Sequence, residues 1–145
     1  MKYRAILAGA LLAVCASSLA DSWDSSKNVE RAMSDAVNTY RSAGEDGLVA
    51  ASENCYAGLD TGVLNKHRGR DVEYCISHVL AAAVISKRAS RASQAPQNAY
   101  FTSGELLIKA MHTLETARMV TRPEEFMPYL NQRMTKIEKD MPPLR

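Results

Sequence analysis

Past residue 20 this chain has no long apolar run, only two cysteines, few glycines and prolines, and little aromatic surface. Each scarcity closes a class of explanation. A stretch of about 20 apolar residues is needed to span a bilayer, and none follows the N-terminal segment, so no transmembrane segment is expected in the mature chain. Alternating β-branched runs are missing, which argues against strands. No Cys-x-x-Cys is present, which removes the redox dithiol and, with no Cys-x-x-Cys-His, covalent haem. The three histidines, His67, His78 and His112, show no His-x3-His spacing, and neither metal nor cofactor is expected. Nothing resembles a nucleophile elbow, a paired-carboxylate motif or a phosphate loop.

The first twenty residues read as a cleavable export signal. Lys2 and Arg4 make a basic head, Ala5 to Ala16 is uncharged and apolar, and Ser18-Leu19-Ala20 supplies the small residues a signal peptidase accepts. The expected mature chain, 21–145, is a single domain in the periplasm or secreted medium. An outer-membrane lipoprotein anchored through Cys15 is the alternative, although Val14 stands where a lipobox prefers Gly, Ala or Ser.

Removing the signal changes the charge. The whole sequence carries 18 basic and 16 acidic side chains, and the two basic residues of the signal leave 16 of each, so a nucleic-acid partner is not expected. Cys55 and Cys75 remain as an even pair, most simply a disulfide. Closing a loop of that length is worth about 3 kcal/mol in the chain-entropy model.

About 125 residues can bury one core without metal, and the periodicity predicts an all-α bundle of four or five short helices with one disulfide-linked hairpin. The first helix is expected over 27–42, capped by Ser26 and ended at Gly44. The second spans 47–59, capped by Asp46, and the third 72–89, capped by Asp71. Cys55 and Cys75 then meet where an antiparallel hairpin would place them. A connector at 90–100 leads to Thr102-Ser103-Gly104-Glu105, a capping-box pattern, and a fourth helix to about Val120 that should bury Leu107, Met111 and Leu114. Pro123 opens the fifth. Its Met127, Leu130, Met134, Ile137 and Met141 form a heptad-like seam, the first four a route to a homo-oligomer, with Pro128 confined to the first turn. Acids such as Glu73, Glu105, Glu115 and Glu125 read as solvated helix faces.

Charge is segregated along the mature chain. Residues 21–60 carry eight acids against Lys27, Arg31 and Arg41, whereas residues 61–91 carry Lys66, Arg68, Arg70, Lys87, Arg88 and Arg91 against Asp71 and Glu73. These six cations lie at opposite ends of one helix and are the candidate contacts for an acidic partner, another envelope or secreted protein. The sequence therefore favours a non-catalytic protein-binding module: an inhibitor, immunity protein, adaptor or chaperone. Two alternatives stand beside it. One is an envelope enzyme, or a small-ligand or metal binder, with its site between helices. The other is a self-assembling structural protein.

Overall fold

One glycine folds the chain back on itself. In a computed structural model describing residues 23–144, α1 (Ser25–Thr61) is helical throughout except at Gly44, where φ is 66° and ψ is −157°. Only glycine enters that region without strain. A straight helix would carry residue 55 about 40 Å beyond residue 28. Yet Asn28 hydrogen-bonds the carbonyl of Arg70, and Cys55 is disulfide-bonded to Cys75. Both ends of α1 therefore lie beside the start of α2 (Gly69–Ser93), and Gly44 is the pivot. The sequence places the break correctly. It is abrupt, however, so Asp46 caps nothing at a loop, and the N-terminal cap is Asp24, which accepts from the Lys27 N–H, rather than Ser26.

Three further helices follow: α3 (Ala99–Thr102), α4 (Gly104–Thr116) and α5 (Pro123–Asp140). The fold is all-α, with no strand among the described residues. The expected export signal at 1–20, and Cys15 within it, lie outside those residues. The bridge joins Cys55 to Cys75 with Cα atoms 5.6 Å apart, tying the end of α1 to the start of α2.

Two apolar clusters fill the bundle. One gathers Val29, Met33, Val37 and Leu48 of α1 around Ala82 and Ile85 of α2, with Ile137 and Met141 from the end of α5. The other gathers Tyr56 and Leu59 around Cys75, Ile76 and Val79, with Leu114 of α4 and Phe126 and Leu130 of α5. Thus α5 contributes to both. Most of its seam is spent inside the fold: Leu130, Ile137 and Met141 are buried, Met134 is half-buried, and only Met127 is exposed.

Several local expectations need correction. Helix α2 begins two residues before Asp71, whose carboxylate instead accepts the Asn65 N–H across the turn. Ser103, not Thr102, caps α4 by accepting from the Leu106 N–H. With Ala110 and Leu114 turned inward, Leu107 is 47% exposed and Ile108 64%. Helix α4 ends at Thr116 rather than near Val120, because the Arg118 N–H bonds the Glu115 carbonyl and the Met119 N–H bonds the Leu114 carbonyl. This is a Schellman ending, with Arg118 at φ 56° where glycine is usual. In α5, Pro123 does start the helix, while Pro128 lies in the second turn, exposed, where one carbonyl of the first turn loses its helical donor.

Candidate functional site

Glu73 departs furthest from its sequence reading. Its side chain is completely buried. It accepts from Trp23 Nε1 at 2.5 Å, Ser25 Oγ at 2.5 Å, Asn28 Nδ2 at 3.1 Å and Arg133 Nη2 at 2.7 Å. Burial pushes the carboxyl upward, but the donors from Ser25, Trp23, Asn28 and Arg133 outweigh it and hold the group below its ordinary value. Arg133 in turn sits over Tyr129, its guanidinium carbon 3.5 Å from the ring centroid. One carboxylate thus fastens α1, α2 and α5. The Trp23 ring also lies against Gly69, where a Cβ would collide with the ring carbons, so that glycine makes room for the docked indole. The sequence hides this because Glu73 sits in the first turns of a helix, beside Val72 and Asp71, with no local pattern to mark it as buried.

His78 is likewise buried, and its Nδ1 has no hydrogen-bond partner. Burial lowers its pKa, the Asp35 charge opposing only in part, so the ring is neutral at physiological pH. The Asp35 carboxylate accepts from the Tyr74 hydroxyl at 2.6 Å. That pair explains why the Tyr74 hydroxyl, already disfavoured from ionising by burial, is pushed up to about 12.

The six predicted partner-facing cations separate into two groups with different surroundings. At the far end of α2, Arg88 reaches across to α5 and donates to the carbonyls of Glu138 at 2.9 Å and Met141 at 3.4 Å, satisfying orphan acceptors at the end of α5. Lys87 pairs with Glu138 at 3.8 Å, and Arg91 is exposed beside them. Arg88 therefore ties the end of α5 to α2 in this fold.

At the near end the loop cations gain company instead. Lys66 lines a crevice with Lys109 and His112 of α4, against Asp60 alone among the acids. His67 and Arg68 line an open concavity with Trp23, Gly69, Met119 and Arg118, and among the described residues no acid lines it. Arg70 pairs with Asp71 at 3.6 Å and faces away from this concavity toward Tyr74. The result is two basic concavities, one where Lys66 of the α1–α2 loop meets Lys109 of α4 and one where Arg68 meets Arg118 just past the end of α4. Lys109, His112 and Arg118 are 40 to 50 residues from the loop in sequence, so no local pattern announces their part in them. Positive charge at the end of α4 also suits the helix dipole there.

A second concave feature lies on the other flank of α4. It is an apolar groove of about 240 Å³ between α2, α4 and α5, lined chiefly by Ile76, Val79, Leu80, Leu106, Leu130 and Met134, with Tyr56 from α1 and the exposed Leu107 and Met127 at its edge. Among the described residues no three His, Cys, Asp or Glu side chains gather as metal ligands, and no helix is long and apolar enough to cross a membrane. No family model, curated protein or solved structure matches the chain.

Proposed function

We propose that this is an exported, non-catalytic binding module that captures an acidic protein partner on the basic face around Lys66, Arg68 and Arg118. One observation carries the reading: folding brings Lys109 of α4, and Arg118 just past its end, to the cations of the α1–α2 loop, and among the described residues no acid lines the concavity around Arg68. Like charges gathered on one surface raise the local potential and suit a partner of opposite sign. Trp23 and Met119 in the same concavity offer the aromatic and adaptable contact area that binding surfaces favour. The disulfide supports an oxidising compartment, the periplasm or the exterior, because such bridges persist there. Inhibitor, immunity protein, adaptor and chaperone all fall within this reading.

The test compares the two cationic ends of α2. Light cross-linking of exported wild type should capture an acidic envelope or secreted protein in a salt-sensitive manner. Lys66→Glu with Arg68→Glu and Arg118→Glu should abolish capture at nearly unchanged melting temperature, whereas Lys87→Glu with Arg91→Glu should leave it intact. Equal capture by wild type and the first variant sinks the proposal.

A further inference from the structure

The concavity around Arg68 has an aromatic wall as well as charge. Trp23, half-buried and the sole tryptophan of the chain, lines it together with Arg68, Arg118 and Met119. The indole is held at two points. Its Nε1 donates to the buried Glu73 carboxylate at 2.5 Å, and its ring carbons rest against Gly69, which leaves them room by having no Cβ. The N–H is therefore satisfied inside the fold. A group that covers the rest of the ring needs to bring only apolar surface, because the indole has no other polar atom to pair.

The backbone that carries the two arginines is pinned. Arg68 stands where α2 starts: its own N–H bonds the Asn65 carbonyl at 2.9 Å, and its carbonyl accepts from the N–H groups of Asp71 and Val72. Arg118 is held at φ 56° by the hydrogen bonds that close α4. Anchored backbone loses less freedom on binding than a mobile loop does. The concavity measures about 530 Å³. At roughly 30 Å³ for a water-sized group, that is room for several side chains rather than for one small anion. A bare anion would also leave Trp23 and Met119 in water and forgo their apolar contact.

We propose that this concavity recognises a peptide segment in which a large aliphatic residue is flanked by carboxylates. The aliphatic side chain covers Trp23 and Met119, and the carboxylates meet Arg68 and Arg118. The proposal rests on the reading of this surface as an acidic-partner site. It adds an apolar requirement to that reading and makes Glu73 and Gly69 positioning residues for the indole.

The experiment titrates two acetylated and amidated peptides of equal charge, Glu-Asp-Leu-Asp-Glu and Glu-Asp-Ser-Asp-Glu, into the exported, disulfide-bonded protein. Affinity is read by calorimetry and the site by Trp23 emission. The leucine peptide should bind saturably, about tenfold tighter than the serine peptide, the gain expected from partial burial of one leucine. It should also shift the emission to the blue. Gly69→Ala keeps every cation, and alanine suits the first residue of a helix, but its Cβ displaces the indole. In that variant the leucine peptide should fall to the affinity of the serine peptide, with the helical spectrum kept. Arg68→Glu with Arg118→Glu should abolish binding of both. Equal affinity of the two peptides for wild type overturns the proposal, and the broader reading survives if partner capture still depends on Lys66, Arg68 and Arg118. An undiminished leucine preference in Gly69→Ala, no binding of either peptide, or leucine-peptide binding that persists after the double charge reversal overturns it as well.

Discussion

The two ends of α2 carry similar basic sequence and use it in opposite ways. At the far end, Lys87 and Arg88 turn toward α5, one pairing with the Glu138 carboxylate and the other with two terminal carbonyls. At the near end, the interior work is done by Glu73 and the disulfide. The loop cations there stay on the surface and are joined by Arg118. A run of Lys and Arg is thus not in itself a binding signal. What distinguishes the two ends is whether a helix terminus with unsatisfied carbonyls comes within reach of the guanidinium.

Stability should register the difference most strongly at the near end. Glu73→Ala removes the acceptor from a nearly buried Arg133, 14% exposed at its side chain, and strands Trp23, Ser25 and Asn28. Losing one partner of a buried ion pair costs about 3–5 kcal/mol, visible as a lower midpoint in urea. Acid should act through the same group. The Glu73 carboxyl lies below its ordinary value in the folded state, so its contribution is fully present above that ordinary value and is lost as pH falls through the folded value. His78, whose folded value lies below 6.5, adds a loss that begins as pH falls below 6.5. In Glu73→Gln the His78 limb should persist and the more acidic limb should disappear. At the far end Arg88→Ala removes two hydrogen bonds made by a charged donor to carbonyls and should cost less, about 1.5–3 kcal/mol, mainly through looser packing of α5. If Arg88→Ala proved the more damaging of the two, the contrast between the ends of α2 would be wrong.

Helices and bridge were legible because their signals are local. Gly44, the 55/75 cysteine pair and Pro123 each act through their own backbone or their immediate helix. The kink needed no loop because a single glycine can supply a torsion pair closed to other residues. Glu73 escapes sequence reading because its burial depends on four donors, three at or just before the N-terminal end of α1 and one 60 residues later in α5. Leu107 was misplaced for a related reason. A 13-residue helix with apolar side chains at 106, 107, 108, 111 and 114 has more than one plausible inner face, and the cap at Ser103 with the packing of Ala110 selects one. The candidate surface was half visible. The loop cations could be read directly, while the α4 contribution and the Tyr56 groove exist only after α4 is laid against the α1–α2 layer.

Arg118 allows the smallest effect to be the most discriminating. A non-glycine residue in the left-handed region costs on the order of 1 kcal/mol, and here that residue closes α4 with the hydrogen bonds of a Schellman ending. Glycine at this position would relieve the strain and keep both backbone bonds. Arg118→Gly should therefore stabilise the protein by about 1 kcal/mol or less in chemical denaturation, an unusual sign for a substitution at a helix end. It should also weaken capture of the acidic partner, because one of the cations around the Trp23 concavity is gone. Opposite signs in the two measurements are what a side chain retained for surface recognition requires. A variant that gained stability and bound its partner as wild type does would show that the left-handed arginine contributes nothing to recognition, and the basic face would then have to be redrawn around Lys66 and Arg68 alone.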